Sequence, residues 1–455
     1  MTTNLDYFSF PLPEDIQRLV NFGDFARAEQ VIGRRMMDEK IPSALKQRLR
    51  LALKIFKELP AGYPHTEEEM LAILKAKVRG MTREEMEELR DDRTLDWIYV
   101  NGSVRYKNDA YESMLKTRVD MNPRFLDEEA LAAKYENFLL LDKEIASMKM
   151  NGGSHWRYRL KTTLSIAPHA QRPGEMIRVY LPLPVKDGQC TPGEIVTSPA
   201  DAYIAAEDHP QRTACFEAVY RPGMTFTAEF DYDIRAPYHD PKPEEVLAEQ
   251  PHFDTQEVLP QIRFTPFIKS LAEELAGGET NPLTKARRFY DYITMNTCYR
   301  YVPSYFTKTN IPEYFGAGQR GDCGMHALLF IALCRCAGIP AQWQAGMYTR
   351  PGMVGNHDWA RFYIAPYGWL YCDGSFGGAA RREGHQDRWN FYFANLEPFR
   401  LVSNSDIQQD FDPPYPFLRS DPYDNQDGEA AYEDAGLSRS DFNIERSLLS
   451  CEKIM

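Results

Sequence analysis

Hydrophobic and polar positions alternate with two different periods along this chain, and the change of period divides it. Over residues 1–150 apolar side chains recur about every 3.6 positions between charged ones, as in 67–74, which predicts helices. A Gly-Gly pair at 152–153 breaks this pattern. Over 224–234 apolar and polar residues alternate strictly, as in a strand with one buried face. We therefore predict a helical N-terminal domain over 1–150 and a β-sandwich-like domain over 151–240.

The second half of the chain has a mixed pattern. Residues 237–260 form an acidic, proline-bearing linker, and prolines at 266 and 282 each mark the start of a predicted helix. We assign 241–404 to an α+β core. Residues 405–455 contain several prolines and many acidic residues. They predict a mostly extended C-terminal tail that wraps the core and frays near its end.

One cysteine is predicted to lie on the first turn of a buried helix. Asp322 is a natural N-cap, Gly338 stands where a helix ends, and Pro340 follows just beyond. The residues between the two caps are apolar on every face, so the helix is expected inside the domain. At this end of a helix, unpaired N–H groups and the positive pole of the helix dipole favour a thiolate. Cys323 is therefore our candidate nucleophile.

A base and a residue to orient it are predicted downstream. His357 begins one strand, a turn at 365–368 follows, and the return strand ends at Asp373. Because paired strands lie about 4.8 Å apart, an antiparallel hairpin brings His357 and Asp373 close together. Cys323, His357 and Asp373 would supply a nucleophile, a base and its orienting carboxylate.

The same three segments resemble the core of the transglutaminase-like superfamily in its bacterial form, over about 281–404. The resemblance implies that Cys323, His357 and Asp373 form a catalytic triad. It also implies a papain-like fold, in which a helix packs on an antiparallel sheet. A β-domain before the core is frequent among relatives of this family.

Two departures from the family pattern bear on activity. Many members have Asp-Pro-Thr where this chain has Asp-Gly-Ser at 373–375. The Gln-Cys pair common in animal transglutaminases is replaced by Asp-Cys at 322–323. The second departure weakens the case for a protein cross-linker.

Both the base and its orienter have rivals. His326 lies three residues along the nucleophile's own helix, where a base has little freedom to move between thiolate and leaving group. We interpret it as a polar contact near the helix start. Asp358 is adjacent to His357, but strand alternation points it to the opposite face. His357 and Asp373 are therefore preferred.

Further site residues are predicted with an alternative for each. An oxyanion needs two donors, for which we choose the backbone N–H of Cys323 and the side chain of Gln319. A solvated loop amide explains Gln319 equally well. Trp359 and Trp369 are candidate walls of the substrate site, and packing in the core explains them equally well.

Composition narrows the classes of partner. The 455 residues carry a net charge of −13, which argues against nucleic acid or an anionic membrane as main partner. No apolar run is long enough for a membrane span, and the N-terminus lacks a signal-like apolar segment. Eight scattered cysteines do not suggest a disulfide framework, so we expect free thiols in a reducing cytoplasm.

The sequence thus predicts a cysteine acyl-transfer enzyme of about three domains. We expect hydrolysis of a peptide or protein amide through a thioester, in the manner of a peptidase or amidase. Neither H-E-x-x-H nor Cys-x-x-Cys occurs, so we expect no metal and no cofactor. Two alternatives remain open, a protein-glutamine transglutaminase and a binding module that keeps the fold without turnover.

Overall fold

The computed structural model describes residues 4–454. The helices are α1 (Glu14–Asn21), α2 (Phe25–Met36), α3 (Ser43–Ala61), α4 (Glu67–Lys77), α5 (Arg83–Asp91), α6 (Ala110–Thr117), α7 (Glu128–Asn151), α8 (Pro266–Ala276), α9 (Pro282–Asn296), α10 (Ile311–Gly318), α11 (Cys323–Cys336), α12 (Gly374–Arg382) and α13 (Gln386–Phe391). The strands are β1 (Trp97–Val100), β2 (Ser103–Tyr106), β3 (Gly153–Ile166), β4 (Met176–Pro182), β5 (Cys190–Ser198), β6 (Tyr203–Ile204), β7 (Thr213–Val219), β8 (Thr225–Pro237), β9 (Cys298–Tyr299), β10 (Arg320–Gly321), β11 (Ala341–Arg350), β12 (Met353–Ile364), β13 (Gly368–Cys372), β14 (Phe393–Ala394), β15 (Arg400–Asn404), β16 (Glu429–Tyr432) and β17 (Phe442–Lys453).

The N-terminal part of the chain is helical, with one short hairpin formed by β1 and β2. Local signals start these helices. The Thr66 hydroxyl accepts from the Glu69 N–H, while the Glu69 carboxylate accepts from the Thr66 N–H, which is a complete capping box. The long helix α7 ends at Asn151, where Gly152 takes the left-handed conformation that closes many helices. Strand β3 begins directly afterwards.

Two four-stranded sheets follow, with strand orders β16-β4-β7-β6 and β17-β3-β8-β5. Burial alternates along β8, where Phe226, Ala228, Phe230 and Tyr232 are buried and the residues that alternate with them are half-buried. This is the period of two seen in the sequence, and it covers one face of the sheet with apolar side chains. The two stacked aromatic rings of Tyr158 and Tyr232 lie 4.8 Å apart within this core.

The end of the chain is not frayed, contrary to our expectation for the C-terminal tail. Residues 442–453 form β17, which pairs with β3 along most of its length, and 429–432 form β16 at the edge of the other sheet. The extended stretch between β15 and β16 does run over the core, as its prolines suggest. The alternation in β17 is short and half exposed, so its partner strand rather than its own sequence stabilises it.

The α+β core predicted from the sequence is confirmed. A five-stranded sheet of order β14-β13-β12-β11-β15 packs against α11. Nearly all of α11 is buried, and its Phe330 ring meets Phe362 of β12 at 5.5 Å. Gly324 allows the helix start to approach β12, because a Cβ there would lie 2.7 Å from a carboxylate oxygen of Asp358. The first turn of α11 is thereby fixed against the middle of β12.

Candidate active site

The hairpin of β12 and β13 brings His357 and Asp373 together. Nε2 of His357 donates to Oδ2 of Asp373 at 2.7 Å, and both side chains are buried. Asp373 is also the N-cap of α12, where its Oδ1 accepts from the N–H groups of Ser375 and Phe376 at 3.1 and 2.9 Å. Every oxygen of this carboxylate therefore has a donor.

A buried arginine completes this half of the site. Nη2 of Arg400 lies 3.1 Å from Oδ2 of Asp373 and 3.0 Å from Glu397. Burial alone would raise the pKa of Asp373, but the charges of His357 and Arg400 outweigh it and hold that pKa well below its usual value. We call His357, Asp373 and Arg400 the histidine side of the site. Sequence reasoning missed Arg400, whose only signal is a single cation inside an apolar strand.

The ring of His357 has one nitrogen that is not bonded to Asp373. Burial lowers the pKa of His357 and outweighs the opposite effect of Asp373. Because Nε2 donates to Asp373, the partner fixes the tautomer and Nδ1 carries the lone pair. Nδ1 has no hydrogen-bond partner within the part of the chain that the structure describes. It is therefore the nitrogen able to accept a proton.

Cys323 lies where expected, on the first turn of α11, with Asp322 as N-cap. Its thiol, however, donates to Oδ2 of Asp358 at 3.3 Å. The N–H of Asp358, in the peptide bond that follows His357, also points to this sulfur. Among residues 4–454 no hydrogen bond joins Cys323 to His357. The sulfur thus lies against the peptide that links the candidate base to Asp358.

In this arrangement burial and neighbouring carboxyls oppose the thiolate that the helix start favours. Burial, followed by the carboxyls of Asp358 and Asp322, raises the pKa of Cys323 well above its usual value. A helix dipole contributes about 0.3–1 kcal/mol, rarely more, and this is less than burial beside two carboxyls costs. Strand alternation places the side chain of Asp358 on the face opposite that of His357, as predicted. On that face Asp358 contacts the thiol of Cys323.

Several buried carboxyl groups lie near the sulfur of Cys323. Burial raises the pKa of Asp322 to about 6 and, together with Asp322, raises that of Asp358 to about 8. The hydroxyl of Tyr305 donates to Asp322 at 2.5 Å. Asp424 is a further buried carboxyl with a raised pKa beside Asp358. We call Cys323, Asp322 and Asp358 the thiol side of the site.

The C-terminal segment also reaches the site, which the sequence did not suggest. Nε2 of Gln426 donates to Oδ1 of Asp358 at 2.5 Å and to the carbonyl of His357 at 3.1 Å. This one amide therefore ties the two sides together. Within residues 4–454 no group of three or more His, Cys, Asp or Glu side chains is arranged to hold a metal ion.

The rival base His326 has both ring nitrogens occupied. Nδ1 lies 2.7 Å from the carbonyl of Asp322, and Nε2 lies 3.3 Å from the hydroxyl of Thr297. Burial lowers its pKa to about 4. It is a polar contact at the helix start, as the sequence suggests, and it has no free nitrogen for a substrate.

The three remaining candidates lie in different surroundings. Trp359 is buried and stacks 6.0 Å from His357, with its indole N–H bonded to Gln344. Trp369 instead packs against Phe253, Tyr363 and Arg361, away from His357, so this placement does not support a site wall. Gln319 ends α10 in the left-handed conformation. Its side chain makes no hydrogen bond in the described range, and its role stays a prediction.

A cavity of about 390 Å³ opens beside His357. Its walls come from the N-terminal helices and from the core, and they comprise Leu115, Lys116, Ala130, Ala133, Lys134, Asn137, Phe138, Tyr299, Tyr348, Arg350, Met353, Gly355, Asn356, His357, Ser375, Phe376, Ala379 and Arg382. This cavity is large enough for part of a peptide, and the candidate base lines it.

A cysteine at a helix start beside a His–Asp pair defines a class of protein, the cysteine-based enzymes with a papain-like α+β core. Comparison with known families agrees: residues 269–374 match the model of the transglutaminase-like superfamily, a range that includes Cys323, His357 and Asp373. The chain therefore carries a transglutaminase-like core, and the resemblance seen in the sequence is confirmed.

Individual proteins are more distantly similar. An uncharacterized protein of Haemophilus influenzae is 27% identical over 146 residues, which cover 26% of this chain and 40% of that relative. The structure of a "putative cysteine protease" from Cytophaga hutchinsonii aligns with TM-score 0.37 and 13% identity, over 66% of this chain and 91% of that one. The periplasmic domain of TgpA from Pseudomonas aeruginosa aligns with TM-score 0.29 and 15% identity, over 54% and 95%. These scores are too low to support an argument about activity.

Proposed function

We propose that this protein is a cysteine-nucleophile acyl-transfer enzyme that hydrolyses an amide of a peptide or protein through a thioester. The observation that carries the proposal is the 2.7 Å hydrogen bond between His357 and Asp373, next to a cysteine at the start of a buried helix. Asp373 stays ionised and holds the imidazole with Nδ1 unprotonated. Nδ1 is then the atom that takes the thiol proton.

The reaction has two halves. The thiol proton passes to Nδ1 of His357 while sulfur attacks the amide carbon, and the C–N bond breaks as the imidazolium protonates the leaving amine. A thioester on Cys323 remains. Water then attacks it and His357 takes a proton from that water. As the C–S bond breaks and the acid is released, the imidazolium returns this proton to the sulfur. The backbone N–H of Cys323 lies at the helix start, and we propose it as one donor to the oxyanion.

The resting contact with Asp358 gives this mechanism an additional step. The thiol is protonated and bonded to Asp358. Because the sulfur already touches the His357–Asp358 peptide, rotation about the Cα–Cβ bond of Cys323 is the movement we infer for activation. Substrate entering the cavity would favour the rotated form if it binds only that form.

The direct test is to trap the acyl group. Protein incubated with cell extract and rapidly quenched should carry an acyl adduct on Cys323, identified by mass spectrometry after digestion. An adduct mass also names the substrate acid. A Cys323→Ala protein of undiminished turnover would overturn the proposal and assign the nucleophile to another residue. No adduct together with no turnover would leave the binding-module alternative.

Water and amine must be compared as acceptors, because a transglutaminase is the main alternative. With a primary amine at millimolar concentration, we expect the acyl group to end mainly as free acid. A transferase must keep water from the thioester and admit a lysine amine. If the amide product dominates at low amine concentration, the transglutaminase assignment replaces hydrolysis.

The state of the cysteines supports a proposal for the cellular compartment of this protein. All eight lie within the described residues and are free thiols, four of them half-buried. Such a set is expected in a reducing compartment, and we propose the cytoplasm. No helix within residues 4–454 has the length and apolar character needed to cross a bilayer.

A further inference from the structure

The cavity beside His357 is unusual in its charge. Four cationic residues line it: Lys116 on α6, Lys134 on α7, Arg350 at the end of β11 and Arg382 at the end of α12. No Asp or Glu lines it. The whole chain, by contrast, carries a net charge of −13. A strongly acidic protein has thus gathered positive charge around its candidate base.

Three of these four cations lack a carboxylate partner. Lys134 is paired, with its ammonium 2.6 Å from Glu383. Lys116 bonds only the hydroxyl of Tyr301 and lies over two tyrosine rings. Arg350 donates to the carbonyl of Pro351 at 3.0 Å. Among residues 4–454 neither Arg350 nor Arg382 forms an ion pair, so no carboxylate is in contact with either guanidinium.

Burial makes this charge costly. The Nε atoms of Arg350 and Arg382 are inaccessible to solvent and have no hydrogen-bond partner in the described residues. Burial accordingly lowers the pKa of Arg382. A partly buried guanidinium without an anion loses hydration and gains nothing in return. An anionic ligand would supply the missing acceptors.

We propose that this cavity binds an acidic stretch of the substrate, so that the enzyme prefers amides next to Asp or Glu side chains. The planar guanidinium fork of arginine matches a carboxylate, and the apolar surface between the cations suits the carbon chain of a peptide. The N-terminal helices thereby gain a role, since they supply Lys116 and Lys134 to the substrate site. This inference names the substrate class of the proposed function and rests on it.

Binding to an inactive protein tests the inference separately from catalysis. Two pooled hexapeptide libraries with blocked ends are used, in which the variable positions hold Asp and Glu in one pool and Asn and Gln in the other. Affinity for the full-length Cys323→Ala protein is measured by competition with a fluorescent acidic pool. We expect the acidic pool to bind at least about tenfold more tightly, with the advantage reduced by added salt.

Neighbouring arginines on one helix give a matched pair of variants. In the Cys323→Ala background, Arg382→Gln should remove most of the acidic preference, because Arg382 lines the cavity. Arg381→Gln should preserve it, since Arg381 is exposed and lies outside the walls. Circular dichroism checks that both proteins are folded. Arg350→Gln serves as a second cavity variant if Arg382→Gln is unfolded.

Equal binding of the two pools, or no binding of the acidic pool, would overturn the inference. So would an equal loss of preference in the Arg381→Gln and Arg382→Gln proteins, which would indicate general electrostatics. The proposed function fails by a different result, namely peptide turnover that does not depend on Cys323. Preference for the acidic pool with no peptide turnover at all would identify an acidic-peptide binding site on a non-catalytic protein.

Discussion

The two sides of the candidate site hold buried carboxyls in opposite states. Asp373 on the histidine side and Asp358 on the thiol side are 1% and 7% exposed, so burial hardly distinguishes them. Yet the pKa of Asp373 lies well below its usual value, while burial and Asp322 raise that of Asp358 to about 8. The neighbouring groups account for this difference in pKa. Asp373 lies beside Arg400 and at the start of α12, whereas Asp358 lies beside further carboxyls.

This contrast has a consequence for the chemistry. A carboxylate that is always charged can orient His357 and stabilise the imidazolium that forms during turnover. On the thiol side, burial and the carboxyls of Asp358 and Asp322 instead raise the pKa of the Cys323 thiol. The histidine side is thus organised for catalysis at rest, and the thiol side is not. Measurements on each side separately can test this comparison.

The largest effect is expected from Cys323→Ala. It should reduce turnover by more than about 10⁵-fold, because no other group in the site replaces the nucleophile. The fold should survive, since the apolar residues behind Cys323 anchor α11. Steady-state rates and a thermal unfolding curve measure the two effects. Cys336→Ala, a half-buried thiol on the same helix, is the control and should retain activity.

Asp373→Asn comes next and acts on the histidine side. Turnover should fall by about 10³–10⁴-fold, since an amide favours the wrong tautomer of His357. The free energy of unfolding should drop by about 3–5 kcal/mol, because Arg400 loses a buried partner. Rates and urea titrations at neutral pH measure both.

The change of stability with pH tests whether Asp373 is ionised in the folded protein. The folded pKa of Asp373 is depressed, so its stabilising contribution is present above its usual value of 3.8 and is lost as pH falls towards the folded value. The difference in unfolding free energy between wild type and Asp373→Asn should therefore shrink on acidification. A difference that grows as pH falls below 4 would contradict an ionised Asp373.

Asp358→Asn should affect the thiol side in the opposite direction. Removing this carboxyl lowers the pKa of Cys323, so alkylation of Cys323 at pH 8 should quicken by about tenfold per unit of pKa change. Iodoacetamide labelling followed by mass spectrometry measures the alkylation rate of each cysteine separately. Asp291→Asn, a half-buried acid on α9, is the control and should leave the rate unchanged.

Stability provides an independent check on Asp358. Its folded pKa, about 8, lies above the usual 3.8, so its contribution is full below pH 4 and is lost as pH rises to 8. Relative to wild type, Asp358→Asn should therefore become more stable across that window. A difference that stays constant with pH would mean that Asp358 is ionised in the folded protein, and the comparison would fail.

The smallest effect is expected from removing metal ions. Burial raises the pKa of the carboxyls on the thiol side, and we expect no cation among them to be needed for activity. Dialysis against a chelator should therefore change turnover by less than about twofold. Activity that is lost in chelator and returns with one added cation would show that these carboxyls bind that metal.

Much of the fold and the order of the candidate triad could be predicted because their signals are local. The caps at Asp322 and Gly338 predicted α11, and the turn between β12 and β13 predicted the contact of His357 with Asp373. The alternation of 224–234 predicted β8. Each signal lies within some twenty residues, where helix and strand periods are read directly.

The rest depends on residues far apart in the chain. Arg400 reaches Asp373 from another strand, and Gln426 reaches Asp358 from a segment predicted to be only a tail. The final strand β17 forms because β3 offers it an edge. No period or spacing in the sequence reports such encounters.

The residue types, and the places where the local elements that hold them begin and end, follow from the amino-acid sequence alone. The pKa values of the site residues depend on the tertiary fold. A pKa depends on burial and on the charges within a few ångströms, and those neighbours come from different elements. Thus two aspartates of one site differ: Asp373, bonded to His357, has a depressed pKa, whereas Asp358 has a raised pKa. The thiol of Cys323 donates to Asp358.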